Sequence, residues 1–181
     1  MATQVQHYDL VIIGTGSAAS VAAFRCHAAG WKVAVIDAPV VGDKEFGGCD
    51  GLITNQKQIA LGIHVADCCA IYIVDPKTPA IGLVHSGKKG TEEAIVANAI
   101  QQMRESFGSD PKKLVVQLSP CIRPPHYEID FAAKIVEQCR AADVGKIYAS
   151  SECTACDIDR YYSYRAEKGK TGRMLALLGL V

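Results

Sequence analysis

The chain has 181 residues, 49% of them apolar and 21% charged, a composition that suits one globular fold with a full core. Nineteen Lys and Arg balance nineteen Asp and Glu, so no net field draws it to nucleic acid or to an anionic membrane. No apolar run is long enough to cross a bilayer, and residues 1–7 lack the basic and apolar regions of a secretory signal, so a cytoplasmic protein is expected.

Residues 8–13 form a short β-branched apolar run that stops at Gly14, as a buried strand does. Residues 17–29 are rich in Ala and followed by Gly30, the pattern of a helix with a glycine C-terminal cap. Residues 31–36 read as a second strand, and the three make a Rossmann-like βαβ segment over 1–48. Pro, Gly and Asp over 39–51 predict a loop or joint. Residues 59–65 and 69–74 are strand-like, Asp75, Pro76 and Lys77 make a turn, and 81–85 is another strand. A helix is predicted over 91–107, with Thr91 as its N-cap and Glu92 and Glu93 at the positive end of its dipole. A strand over 114–118 and a helix over 131–142, capped by Asp130, follow. Residues 174–181 are an apolar run whose pattern decides neither type. Elements mixed in this order predict an α/β sandwich. We read 1–181 as a single domain, its core over 49–181.

Two constellations carry chemistry. In the first, Gly14, Gly16 and Ala19 follow a strand and open a helix, the G-x-G-x-x-A form of the dinucleotide fingerprint. Asp37 ends the second strand, where an acid could bind a ribose hydroxyl. Residues 8–37 resemble the N-terminal opening of flavin-dependent disulfide oxidoreductases. The chain is too short for such an enzyme, so FAD or NAD is not the expected cofactor, and a ligand-free βαβ unit is favoured. The second constellation is Cys68 with His85, seventeen residues apart, each at the edge of a β-type run. A thiol and an imidazole are the donors that zinc and copper prefer, and the pair a cysteine hydrolase needs.

Several motifs in order accompany that pair. They are Asp50-Gly51-Leu52-Ile53-Thr54, Ala66-Asp67-Cys68, His85-Ser86-Gly87-Lys88-Lys89-Gly90-Thr91, Ser119-Pro120-Cys121-Ile122 with Tyr127-Glu128-Ile129, and Cys153-Thr154 with Tyr162-Ser163-Tyr164-Arg165 and Thr171-Gly172-Arg173. From about residue 50 to 181 they resemble the multicopper polyphenol oxidase (laccase-domain) family, also described as zinc-dependent purine nucleoside phosphorylases and as a peptidoglycan editing factor. The resemblance implies a layered α/β/β/α sandwich with mixed sheets. It implies a metal, zinc with copper possible, held by His-Cys-His, with Cys68 and His85 as two ligands. The family's first ligand histidine lies in an N-terminal region that differs here. His7 is the first candidate and His64 the second, although on one strand His64 and Cys68 would stand about 13 Å apart. His27 and His126 are placed on a helix and in a Pro-rich loop. The family's Trp-Arg is Lys88-Lys89 in this chain.

The implied function is a zinc-dependent enzyme acting on purine nucleosides, by phosphorolysis with phosphate, by adenosine deamination, or both. Five histidines are too few for a multicopper oxidase. Cys68, His85 and Asp67 are the candidate catalytic residues, Asp67 as a partner that orients an imidazole or as a turn aspartate. Lys88, Lys89, Arg165 and Arg173 could bind an anion. Tyr161, Tyr162 and Tyr164 could line a purine pocket or pack on the final apolar run. Lys168, Gly169 and Lys170 read as a solvated turn. Of the eight cysteines most are expected to be packing thiols, Cys121 among them. Cys153 and Cys156 have C-x-x-C spacing, for which a structural or substrate-wall role is favoured over redox or metal work. Two alternatives remain: a metal-free hydrolase or deamidase with Cys68 as nucleophile and His85 as base, or a nucleotide-binding module without catalysis.

Overall fold

The computed structural model describes residues 10–13, 33–36, 49–57 and 59–180. The chain divides into two compact units, Met1–Gly47 and Gly48–Val181. In the first, β1 (Leu10–Ile13) and β2 (Val33–Ile36) pair in parallel, Leu10 beside Val33 and Ile13 beside Ile36. Both strands were legible as β-branched runs. The helix expected over 17–29 and the site residues His7, Gly14, Gly16 and Asp37 lie outside the described residues.

The second unit is a mixed α/β fold. Its strands are β3 (Gly51–Thr54), β4 (Ala60–Val65), β5 (Cys69–Asp75), β6 (Ala80–Ser86), β7 (Val115–Leu118), β8 (Lys146–Ala149) and β9 (Met174–Gly179). Its helices are α1 (Lys88–Glu92), α2 (Ile95–Phe107) and α3 (Phe131–Ala141). Five strands make one sheet in the order β3-β6-β5-β7-β8, antiparallel except for the parallel pair of β7 and β8. The apolar run at the C-terminal end becomes β9, which pairs antiparallel with β4 as a separate two-stranded ribbon.

Alternation along the central strand β5 explains the layers. Ile71 and Ile73 face the helices, with Val84, Val116 and Leu118 beside them. Val96, Ile100 and Met103 of α2 and Phe131, Ile135 and Cys139 of α3 close that core. The intervening Ala70, Tyr72 and Val74 face the ribbon, where Leu83 meets Leu61, Val65 and Ala176.

Two expectations need correction. The helix predicted over 91–107 starts earlier, at Lys88, and breaks at Ala94, whose backbone is left-handed. Thr91 is therefore no N-cap. It is buried inside α1, where its hydroxyl shares a 2.9 Å hydrogen bond with that of Ser86, and the side chain of Gln138 donates to its carbonyl at 2.7 Å. Tertiary partners outweighed the local capping pattern. Strand β8 was not anticipated, because four mostly exposed residues at a sheet edge carry little periodic signal. By contrast, Asp130 caps α3 as expected, accepting from the Ala133 N–H at 3.0 Å.

Because Ile71 is fully buried in the middle strand, Ile71→Ala should cost about 2–5 kcal/mol of stability, read as a lower urea midpoint. A loss below about 1 kcal/mol would mean that the sheet face repacks around the gap.

Candidate active site

The seventeen-residue spacing of Cys68 and His85 follows from strand register. In the antiparallel pair of β5 and β6, Cys69 stands opposite Ser86 and Ala70 opposite His85. One step beyond the ladder, Cys68 meets Gly87. A Cβ added at Gly87 would lie 2.8 Å from the Cys68 Sγ and 3.9 Å from the His85 Cε1. Glycine at that position leaves the room in which thiol and imidazole come together.

His85 is held by a residue that sequence reasoning did not single out. Its backbone N–H donates to the Asp50 carbonyl at 2.7 Å, and its Nδ1 lies 3.5 Å from the Asp50 Oδ1. Asp67, the expected orienting carboxylate, works elsewhere. It is buried, with a left-handed backbone at φ 78° that Asp tolerates better than most residues. Its Oδ1 accepts from the Thr154 hydroxyl at 2.8 Å, and its Oδ2 accepts from the Arg165 N–H at 2.7 Å. Its carbonyl accepts from the Ile122 N–H at 2.9 Å. With both oxygens occupied, Asp67 braces three chain segments around Cys68.

These elements enclose a cavity of about 690 Å³. Cys68, His85 and His64 lie on its wall with the apolar and aromatic faces of Ile122, Tyr127, Phe131 and Tyr164. Lys88, Arg165, Lys168 and Arg173 supply positive charge. Arg165 stacks over Tyr127 at 4.7 Å and Arg173 over Tyr164 at 5.5 Å. Lys89 is not on the wall. Its side chain is 82% exposed and sits 3.8 Å from Glu93, because neighbours on a helix point to different faces. Of the three candidate tyrosines only Tyr164 lines the cavity; Tyr161 hydrogen-bonds Glu152. Tyr127 and Phe131, with rings 5.0 Å apart, and Lys168 were missed. The four-residue spacing of the two aromatics at the start of α3 was the available signal. Lys168 and Gly169 form a left-handed turn beneath the Tyr164 ring. A larger cavity, about 950 Å³ between α2 and α3, gathers no thiol or imidazole.

Burial, and then the charge of Asp67, push the Cys68 thiol above its ordinary range. Burial, and then Arg173, hold His64 below the usual imidazole range, and its Nε2 is buried without a hydrogen-bond partner. A neutral ring with an orphaned nitrogen, a sulfur beside a second imidazole, and the space left by Gly87 suit a borderline metal such as zinc. Among the described residues, however, no three His, Cys, Asp or Glu side chains converge as a ready ligand set. No described helix is long and apolar enough to cross a membrane.

The family described as multi-copper polyphenol oxidoreductase laccase matches residues 11–134 and 126–181. The match begins inside β1, so it includes the segment that the motif comparison had set apart. A protein of Geobacillus stearothermophilus named purine nucleoside phosphorylase YlmD is 31% identical over 166 residues, covering 73% of this chain and 60% of the relative. One of the same name in Bacillus subtilis is 27% identical over 164 residues, covering 72% and 58%. The chain thus spans about three fifths of the length of these curated relatives. The crystal structure of YlmD from Geobacillus stearothermophilus superposes with a TM-score of 0.68 at 25% identity, over 96% of this chain and 70% of that one. A Bacillus licheniformis hypothetical protein, YfiH, gives the same TM-score at 24% identity, over 97% and 72%.

Asp67→Ala should destabilise the protein by about 1–3 kcal/mol per buried donor left unpaired. Asp67→Asn should lose less, since an amide oxygen can take the Arg165 N–H while its NH₂ donates to Thr154. Urea unfolding of the two variants checks this, and equal losses would mean that the charge itself, not the hydrogen bonds, holds the segments.

Proposed function

Since the chain belongs to the multi-copper polyphenol oxidoreductase laccase family, as the match over nearly its whole length shows, we propose that its cavity binds a purine nucleoside and phosphate and exchanges the purine for phosphate at the ribose anomeric carbon. The observation that carries this reading is the composition of the cavity wall. A thiol and an imidazole share it with aromatic rings and four basic side chains, two of which stack on those rings. The volume of about 690 Å³ lies in the range of small-molecule sites, which is about 300–1,000 Å³. The names of the relatives point the same way.

In this reading the purine lies against Tyr127, Phe131 and Tyr164, whose flat apolar faces suit a heteroaromatic ring. Arg165 and Arg173, each fixed by stacking on a tyrosine, hold phosphate oxygens, and Lys88 and Lys168 add charge from the rim. A phosphate oxygen bonds to the anomeric carbon as the carbon–nitrogen bond breaks. The electron pair leaves with the purine, which takes up the proton brought by the phosphate monoanion. The basic residues gather and orient the nucleophile, which is where such a site gains most of its rate.

Cys68 and His85 would hold zinc, with His64, the other imidazole on the wall, as the third donor. Bound there, zinc supplies a Lewis acid and a water of lowered pKa. The same chemistry would permit adenosine deamination, and the product separates the two reactions: adenine from phosphorolysis, inosine from deamination. A metal-free dyad fits less well, because a buried thiol pushed above its ordinary range is a poor nucleophile at neutral pH.

Purified protein is expected to consume inosine, and to release adenine from adenosine, only with phosphate, and to carry zinc by elemental analysis. His85→Ala and His64→Ala should each lose the zinc, His85→Ala with at least about a hundredfold drop in kcat/KM. Full zinc retention in His64→Ala would remove it from the ligand set. Arg173→Ala should raise the KM for phosphate about ten- to a hundredfold with less effect on the nucleoside, since it removes one charged contact of about 1.5–3 kcal/mol. Release of free purine at a rate that ignores phosphate would reject phosphorolysis.

A further inference from the structure

The C-x-x-C segment is a second chemical feature, outside the cavity wall. Cys153 is the N-cap of the short 3-10 turn Thr154–Cys156, and the Cys156 N–H donates to the Cys153 carbonyl at 3.1 Å. A turn closed in this way keeps its end Cα atoms within about 7 Å, the range a disulfide spans. Cys156 is exposed while Cys153 is half-buried, and a hydrogen bond between the two thiols holds Cys156 above its ordinary range, so that its thiolate is scarce but strongly nucleophilic. Thr154, the residue between them on the Cys153 side, is fully buried and donates to the Asp67 carboxylate at 2.8 Å. Asp67 precedes Cys68 and holds the Arg165 N–H. On its other side Cys153 bridges in parallel to the backbone of Cys121. A thiol pair with one exposed member is thus tied, through two hydrogen bonds to Asp67, to the backbone beside Cys68 and at Arg165.

We propose that Cys153 and Cys156 are a reversible dithiol–disulfide site that takes small-molecule disulfides, and that its redox state reaches the cavity through Thr154 and Asp67. The exposed Cys156 thiolate attacks one sulfur of the small disulfide, whose sulfur–sulfur bond breaks and releases one thiol. Cys153 then attacks the mixed disulfide at the Cys156 sulfur and releases the second thiol. Two protein thiols become one disulfide, one small disulfide becomes two thiols, and no other oxidant is required. Closing the bond alters the turn that presents the Thr154 hydroxyl, and Asp67 transmits the change. The proposal is independent of the cavity's substrate.

The test equilibrates the folded protein in glutathione buffers of graded ratio, followed by acid quenching and alkylation. Tryptic cleavage after Lys146 and Arg160 releases both cysteines, and no others, in one peptide over 147–160. In oxidising buffer that peptide should appear two hydrogens lighter and unalkylated, and it should revert on reduction. Stable glutathione adducts on one or both cysteines, or pairing only in denaturant, would overturn the site. Alkylation of Cys68 in the folded protein should change about fivefold between the two redox states, a typical coupling between linked sites. In Cys156→Ser, whose substitution lies at the surface, the rate should be the same in both buffers. An unchanged Cys68 rate in a protein whose disulfide has formed would overturn the coupling.

Discussion

The arrangement of the cavity depends on one buried carboxylate. Asp67 sits at a left-handed residue between two strands, and its acceptors are satisfied by donors 87 and 98 residues further along the chain. A buried carboxylate without such partners would be costly enough to unfold or neutralise itself. The need to satisfy it draws Thr154 and the Arg165 backbone toward Cys68. It also directs Asp67 away from His85, leaving that ring to Asp50.

The remaining groups are positioned in two different ways. Cys68 and His85 lie at the ends of β5 and β6, where ladder hydrogen bonds and a core on each face of the sheet allow little movement. Arg165, Lys168 and Arg173 come from the irregular stretch between β8 and β9. Local bonds shape that stretch: the Glu167 carboxylate accepts from the Ser163 N–H at 3.0 Å and from the Thr171 hydroxyl. The thiol and imidazole thus come from ladder-held strand ends, and the basic side chains from an irregular connection held by its own hydrogen bonds. Tyr127 and Tyr164 carry the two stacked arginines beside the cavity, and Arg165 also pairs with the exposed Glu128 carboxylate at 3.8 Å.

Much of the fold was legible because it rests on local periodicity. The runs at 8–13, 31–36, 59–65, 69–74, 81–85 and 114–118 all became strands within a residue or two, and Asp130 announced α3. Cys68 and His85 were legible because antiparallel register converts a fixed spacing into a meeting point. What local pattern could not show was competition. Thr91 looked like a cap until Ser86 and Gln138 claimed it. Asp67 looked like a partner for an imidazole until distant donors filled both its oxygens. Lys88 and Lys89 looked equivalent, and helix geometry put only the first on the cavity wall.

From the chain by itself came the mixed strand and helix order, the thiol–imidazole pair and the likeness to one family, since each follows from short-range pattern and spacing. Only the tertiary structure decided which aspartate holds His85, which basic and aromatic side chains share its cavity, and that the C-x-x-C turn is wired to Asp67. Those choices join residues far apart in sequence. They are made by the burial of polar groups that must find partners, and no window along a chain displays where those partners will come from.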